Sequence, residues 1–248
     1  MFILNVLPPR DAFFETIWYL ISNYQIFFLT GIFYTLMLSI IGTGGGFMIA
    51  FFFTIVRKRK IDRLRQSTIT ILLTKLSQGL INVYITIFRG TPMMVQAMIF
   101  YYGISRLQLS FWTPIVAGFV VVILNTTAYI SEVLRSGING VDQGQLEASR
   151  SLGFSHGQSM RLVILPQAIR QSLPAIGNEF IINLKDTSVL SVIGVTEIFR
   201  ATQLATSPNY RTTEGFFIAA ILYLMMTLIA SLFVNRFEQS SQRKEAMV

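Results

Sequence analysis

Long apolar stretches alternate with short polar ones along this chain of 248 residues. The clearest apolar stretch covers residues 25–56 and is broken only by small and hydroxyl side chains. It exceeds the roughly 20 residues that a helix needs to cross a bilayer. Further apolar stretches follow at about residues 79–103, 114–134, 175–198 and 216–237. The pattern predicts an all-α integral membrane protein with about five transmembrane helices.

Two details refine the first two helices. Gly42 and Gly46 lie four residues apart in the first stretch, a spacing that lets two helices approach closely. A phosphate-binding loop is excluded there because no Gly-Lys-Ser/Thr sequence follows. Residues 67–78 are amphipathic and contain Lys75. We expect this segment to lie along the membrane interface before the chain enters the bilayer near Gly79.

A hydrophilic segment at residues 140–174 separates the third and fourth stretches. Two pairs in it have the spacing of a capping box, in which both side chains bind free backbone N–H groups at a helix start: Asp142 with Gln145, and Ser155 with Gln158. Gly153 suits the left-handed conformation that ends a first helix, and Pro166 and Pro174 are expected to limit a second. The segment therefore predicts a helix-turn-helix outside the bilayer, which is an exposed docking element.

Composition agrees with a membrane protein and removes several kinds of site. Charged residues make up 13% and apolar ones 52% of the chain, and the mean hydropathy is +0.57. Because cysteine is absent and His156 is the single histidine, a metal centre or a nucleophile–base pair is hard to assemble. We therefore expect no metal, no cofactor and no catalytic residue. A membrane-embedded enzyme that uses only the carboxylates of Glu132, Glu179 and Asp186 is an alternative.

Basic residues set the predicted orientation. Six of them crowd the connection after the first helix, against the single acid Asp62: Arg57, Lys58, Arg59, Lys60, Arg63 and Arg65. Short loops with such an excess stay in the cytoplasm. Alternation then predicts an extracytoplasmic N-terminal segment (1–24), a transmembrane domain (25–237) whose 140–174 segment faces the cytoplasm, and a cytoplasmic tail (238–248). The net charge of +8 reflects topology and contact with anionic membrane lipid, and no nucleic acid partner is expected.

The hydrophilic segment also carries a motif. It reads Glu-Ala-small, three residues, Gly, nine residues, an aliphatic residue, one residue and Leu-Pro: Glu147, Ala148, Ser149, Gly153, Val163, Leu165 and Pro166. This pattern resembles the EAA loop of importer-type ABC permeases, with Ser149 where alanine is usual and Val163 where isoleucine is usual. Residues 89–96, 128–138 and 173–194 resemble the branch that handles polar amino acids of the histidine, glutamine, arginine and opine type. The resemblance extends over about residues 31–237.

The resemblance implies the permease subunit of an ABC importer that moves a polar amino acid across the cytoplasmic membrane of a prokaryote. In that family the loop forms a coupling helix that docks on an ATP-binding subunit, and that subunit binds the ATP. A second permease, identical or related, and an extracytoplasmic solute-binding protein complete the assembly. The alternative is an ion-coupled secondary carrier of a small polar solute. Carriers usually show internal repeats, and the five stretches show none.

Polar residues inside the apolar stretches are candidates for the substrate pathway, because ionisable groups are costly there. The sequence Arg89-Gly90-Thr91-Pro92 interrupts the second stretch, since proline frees a backbone carbonyl one turn earlier. We expect Thr91, Pro92 and Gln96 to line a cavity. Arg89 either lines that cavity or extends to the cytoplasmic interface, in which case Pro92 only kinks the helix.

A free amino acid needs acceptors for its ammonium group and donors for its carboxylate. The third and fourth stretches supply further candidates: Asn125, Tyr129, Asn178, Glu179, Thr187 and Ser188. Glu132 shares a helical face with Asn125 and Tyr129, and these three either line the cavity or bridge helices. Glu179 either meets the substrate or pairs within the protein.

Lys185 and Asp186 are neighbours in the fourth stretch and point about 100° apart on a helix. We expect them to have separate partners. Either they face the pathway, or they pair with Glu132, with Arg135 or with the hydrophilic segment.

Overall fold

The computed structural model describes residues 7–59 and 66–245, and all regular structure in these ranges is helical. The α-helices are α1 (Phe13–Lys58), α2 (Thr68–Gly90), α3 (Met93–Ser105), α4 (Pro114–Gly140), α5 (Gln143–Ser151), α6 (His156–Ser159), α7 (Leu165–Asp186), α8 (Ile198–Thr206) and α9 (Thr212–Glu245). A π-helix (Met160–Ile164) precedes α7, and a 3₁₀-helix (Thr187–Ile193) follows it. The predicted all-α fold is confirmed. Lys60, Asp62, Arg63 and Arg65, on which the orientation partly rests, lie outside the described residues.

Four of the described helices are long and apolar enough to cross a membrane. They are α1, α2, α4 and residues Thr212–Arg236 of α9. Helix α3 is also apolar but shorter. The described residues therefore contain four candidate membrane spans and one shorter apolar helix, compared with the prediction of about five transmembrane helices.

Helix α1 extends beyond its predicted range. It begins at Phe13, and Tyr24 interrupts it with non-helical angles (φ −117°, ψ 20°). One residue earlier, Asn23 Nδ2 donates to the carbonyl of Tyr19 at 2.9 Å, a side-chain bond of the kind that bends helices. At 1.5 Å per residue its 46 residues extend about 69 Å. Since the hydrocarbon core is only about 30 Å thick, part of α1 lies outside it.

The predicted second span consists of two helices. Ser67 begins α2, because its Oγ accepts the N–H of Thr70 at 3.3 Å, and the helix then runs unbroken to Gly90. The prediction of a separate interfacial segment at residues 67–78 is therefore wrong. The predicted interruption before Pro92 is confirmed: Thr91 is extended (φ −125°, ψ 146°), as expected for a residue before proline.

The predicted fourth span, residues 175–198, is wrong as a single helix. Helix α7 ends at Asp186, the 3₁₀-helix follows, and Gly194 ends it in the left-handed conformation (φ +91°). Thr187 and Ser188 therefore lie in the 3₁₀-helix and not in the α-helix that carries Asn178 and Glu179.

Contacts between Cα atoms divide the chain into two compact units. Unit 1 comprises Met1–Gly42, Met93–Val122 and Phe180–Leu232, and unit 2 comprises Thr43–Pro92, Ile123–Glu179 and Phe233–Val248. A core cluster in unit 1 includes the buried side chains of Leu38, Val121 and Leu190. A core cluster in unit 2 is formed by Ala50, Ile130 and Leu134.

Helix α1 packs closely on α4 at its glycines. A Cβ atom added to Gly46 would lie 2.9 Å from the Cβ of Thr126, and one added to Gly42 would collide with Val122. Each of these contacts lies within one unit. The predicted role of Gly42 and Gly46 in close helix packing is confirmed.

Candidate functional site

The predicted coupling loop, residues 140–174, has at its centre residues 142–166, which are called the coupling segment below and begin with a capped helix. Asp142 Oδ1 accepts the N–H of Gly144 at 2.6 Å at the start of α5. The predicted capping box is incomplete there, because the side-chain oxygen of Gln145 lies 3.5 Å from Gln167 Nε2 and accepts from it instead. The second box is complete: Gln158 N donates to Ser155 Oγ at 3.4 Å, and Ser155 N donates to Gln158 Oε1 at 2.8 Å.

The turn after α5 is a Schellman motif built on one glycine. Phe154 N donates to the carbonyl of Ser149 at 3.1 Å, and Gly153 N donates to that of Arg150 at 2.9 Å. Gly153 has φ of +85°, the left-handed region that costs other L-residues energy. The predicted conformation of Gly153 is confirmed. A Cβ atom added there would meet nothing within 4 Å, so the backbone angle alone calls for glycine.

A buried pair of hydroxyl groups joins the two arms of the coupling segment. Ser149 Oγ donates to Ser159 Oγ at 2.8 Å and also lies 2.9 Å from the carbonyl of Leu146. Ser149 is 4% and Ser159 0% exposed. Ser149 stands where the motif usually has alanine, and its hydroxyl is satisfied because Ser159 faces it. Sequence reasoning missed Ser159, since a lone serine in a polar segment carries no signal.

The apex of the segment presents an apolar surface. Leu152 is 78% exposed beside Gly153, and Phe154 is also exposed. Glu147 and Ala148 are exposed on α5. Leu152 was not among the predicted coupling residues, yet it has the chemistry of an interface anchor, a large apolar side chain held on a stiff turn.

The second arm continues directly into a long helix. Leu165 N donates to the carbonyl of Met160 in the π-helix, and Pro166 is the second residue of α7. The wider π turn accommodates a proline that lacks an N–H group. Pro174 lies inside α7. The expectation that Pro166 and Pro174 limit this helix is therefore wrong, and the coupling segment continues into α7 without a break in helical structure.

An apolar cluster anchors the coupling segment. Val141, Ile164 and Ala168 are buried together, with Leu146 and Val163 packed against them. The aliphatic position of the motif, Val163, therefore acts through packing between the two arms. Among the other motif residues, Leu165 is half-buried and Pro166 is exposed.

A charge cluster lies where α1, α2 and α4 meet in unit 2. Glu132 Oε1 accepts from Arg57 at 2.7 Å, and its Oε2 lies 2.7 Å from Arg135 Nη2 and 4.0 Å from Arg89 Nη1. The Arg89 guanidinium also lies 5.5 Å from the centre of the Tyr129 ring. Three cations thus surround one carboxylate, and Glu132 bridges helices. Lys185 and Asp186 are exposed, so the pairing predicted for them with Glu132 or Arg135 gains no support from this cluster.

The pathway candidates fall into both units. Six of them belong to unit 2: Thr91, Pro92, Asn125, Tyr129, Asn178 and Glu179. The other three belong to unit 1: Gln96, Thr187 and Ser188. Two candidates make local hydrogen bonds: Thr91 Oγ1 donates to the carbonyl of Ile87 at 2.8 Å, and Thr187 Oγ1 donates to that of Leu184 at 3.4 Å. Gln96 and Thr187 are buried, while Tyr129 is 36% exposed.

Sequence reasoning missed a buried carboxylate at the start of α8. Glu197 is 0% exposed, and its two oxygens accept the N–H groups of Phe199 at 2.9 Å and Arg200 at 2.8 Å. Tyr223 Oη also donates to Glu197 at 2.6 Å and thereby ties α8 to α9. Both carboxylate oxygens of Glu197 therefore accept hydrogen bonds, and Glu197 caps the N-terminus of α8. The sequence gave little sign of this cap, because glutamate is not one of the residues preferred at that position.

Comparison with known proteins places the chain. The profile of the binding-protein-dependent transport system inner membrane component family matches residues 71–243. The chain belongs to this family. A probable amino-acid permease of Bacillus subtilis is 37% identical over 201 residues, which are 80% of this chain and 82% of that protein. A glutamine transport system permease of Escherichia coli is 38% identical over 161 residues, or 63% of this chain and 72% of the relative.

One solved structure agrees with this membership, and a more distant one shares the fold. A crystal structure of an amino acid ABC transporter with histidines superimposes with a TM-score of 0.80 at 33% identity, covering 94% of this chain and all of that one. The MetNI methionine ABC transporter shares the fold, with a TM-score of 0.70 at 17% identity over 88% of this chain and 97% of that one. The predicted permease subunit is confirmed, and neither the ion-coupled carrier nor the membrane enzyme gains support. The permease is a multi-pass membrane protein of a system that also includes an ATP-binding subunit and a binding protein.

Proposed function

We propose that this permease moves a polar amino acid inwards and that its coupling segment docks on the ATP-binding subunit. The single observation that carries the docking role is the Schellman turn at Gly153 between two braced arms. A rigid, exposed turn with Leu152 at its apex suits a groove on a partner. The hydrogen bond between Ser149 and Ser159 and the apolar cluster around Ile164 keep the two arms together as one body.

Continuity between the coupling segment and the membrane supports transmission of motion. The second arm passes through the π-helix into α7, which carries Asn178 and Glu179 without a break. Movement imposed on the turn by ATPase closure would therefore reach these pathway candidates as a rigid-body displacement. In this proposal, the displacement of α7 switches the substrate pathway between its outward-open and inward-open states.

The relatives and the candidate side chains support a polar amino acid as the proposed substrate class. Relatives are described as transporting glutamine, arginine and nopaline. In unit 2, the carboxylate of Glu179 can accept from an ammonium group. In unit 1, the hydroxyl group of Ser188 can donate to a carboxylate, whereas that of Thr187 can do so only by giving up its bond to Leu184. The assignment of Thr91, Pro92, Gln96, Asn125, Tyr129 and Asn178 to the pathway is part of the same proposal.

The proposed assembly contains two permease subunits, identical or related, two ATP-binding subunits and an extracytoplasmic solute-binding protein. The N-terminus lies outside and the C-terminus inside the cytoplasmic membrane of a prokaryote. Support for this orientation comes from Arg57, Lys58 and Arg59 at the end of α1 and from the need of the coupling segment to face ATP.

A pull-down from native membranes in mild detergent tests the coupling role. We expect mass spectrometry to identify an ATP-binding subunit, together with a solute-binding protein whose ligand names the substrate. Uptake into vesicles should stop when ATP is depleted, even with an intact ion gradient. Recovery of no ATP-binding subunit after cross-linking through Leu152→Cys, with ion-driven uptake intact, would overturn the proposal.

A further inference from the structure

A large groove in unit 2 lies beside the second arm of the coupling segment, whose Leu165 and Pro166 help to line it, and none of the pathway candidates lines it. It opens between the C-terminal end of α1, the first half of α2 and the segment from α6 to α7, with a volume of about 1390 Å³. Small-molecule sites typically measure about 300–1,000 Å³. Apolar side chains such as Phe52, Leu73 and Ile169 line most of the groove. A zwitterionic amino acid matches neither this size nor this lining.

The groove has cations at its edge. Lys58, Arg59 and Arg161 line it, and no acidic side chain does so within the part of the chain that the structure describes. Lys58 Nζ donates to the amide oxygen of Asn139 at 2.7 Å, which leaves its positive charge uncompensated by that bond. The groove thus offers a long apolar cavity with a positively charged end.

The outer face of α2 continues the apolar surface towards the bilayer. Ile69 is 72%, Leu72 66% and Leu76 57% exposed, all near the groove-lining residue Leu73. On a membrane-spanning helix such side chains lie against lipid or against another subunit. Where lipid covers them, acyl chains can reach the groove from the same side.

We propose that this groove binds one anionic phospholipid. Its acyl chains lie along Phe52, Leu73 and Ile169, and its phosphate group meets Lys58, Arg59 and Arg161. Basic pockets beside membrane helices bind anionic head groups in this manner. The lipid joins α1 and α2 to the segment that leads out of the coupling turn, which gives the amphipathic first half of α2 a role.

Native mass spectrometry of the transporter, purified with its co-purifying subunits in mild detergent, tests the site. Phosphatidylglycerol and phosphatidylcholine are added separately as probes. We expect selective retention of phosphatidylglycerol, lowered about fivefold for each cation removed in Arg59→Ala and Arg161→Ala. Arg236→Ala is the matched control, because Arg236 is an exposed cation on α9 that does not line the groove.

A second pair of variants tests the apolar part. Leu73→Trp fills the groove and should reduce retention, whereas Leu72→Trp changes the adjacent exposed leucine, which does not line it. Equal retention by all variants, or equal binding of both lipids, would overturn the proposal. Absence of retained lipid from the unaltered protein would also overturn it and would point to another subunit as the occupant.

Discussion

The conformation of Gly153 gives the sharpest test of the coupling turn. With φ of +85° and nothing within 4 Å of an added Cβ atom, Gly153→Ala introduces backbone strain without a clash. The left-handed region costs an alanine about 1–2 kcal/mol. The two hydrogen bonds that close the turn contribute about 0.5–1.5 kcal/mol each. The strain energy of the alanine is therefore comparable to the stabilisation that the two hydrogen bonds give the closed turn.

The expected result is weakened coupling in a correctly inserted protein. A loss of 1–2 kcal/mol changes the ratio of closed to open turn by about 5- to 30-fold, and the apparent affinity for the ATP-binding subunit falls with the closed fraction. Gly153→Asn should retain more function than Gly153→Ala, because asparagine tolerates this conformation better. The assays are substrate-stimulated ATP hydrolysis and uptake in proteoliposomes, with subunit co-purification measured alongside.

Gly157→Ala is the matched control. Gly157 also has nothing within 4 Å of an added Cβ atom, but it lies in α6 without a positive φ. Alanine there should leave coupling unchanged, since it favours the helix. Equal activity of Gly153→Ala and Gly157→Ala would refute the reasoning from the left-handed turn.

Three further predictions concern the remaining contacts. Glu132→Gln should lower the free energy of unfolding by about 2 kcal/mol, which is measured as a lower Tm in detergent. The control, Glu15→Gln, changes an exposed glutamate and should leave the Tm unchanged. Equal Tm values for the two variants would contradict the bridging role of Glu132. Ser159→Ala should cost about 1 kcal/mol, and adding Ser149→Ala should cost little more; additive losses in a double-mutant cycle would disprove the pair. Leu152→Ala should weaken co-purification with the ATP-binding subunit and leave the Tm unchanged. Leu107→Ala, at a comparably exposed leucine, should leave both co-purification and the Tm unchanged. Normal co-purification of Leu152→Ala would show that Leu152 is not part of the interface.

Local signals in the sequence predicted the turn and the second helix cap of the coupling segment, because these features depend on only a few neighbouring residues. The Ser155–Gln158 box and the left-handed Gly153 need only their neighbours. Gln145 departs from its predicted role because Gln167, 22 residues away, competes for its side-chain oxygen. The Ser149–Ser159 bond is equally invisible to local spacing, since it depends on how the turn folds one arm onto the other.

Pro92, Pro166 and Pro174 show why the sequence predicted a helix boundary correctly at one proline and wrongly at the other two. Pro92 ends a helix, with Thr91 held in an extended conformation before it. Pro166 follows a π turn and is the second residue of α7, and Pro174 lies inside the same helix without ending it. A proline has the same missing N–H group in all three places, so the surroundings decide its effect. The unbroken course at Pro166 matters for the proposed mechanism, because a helix that ended there would separate the proposed docking turn from the pathway candidates Asn178 and Glu179.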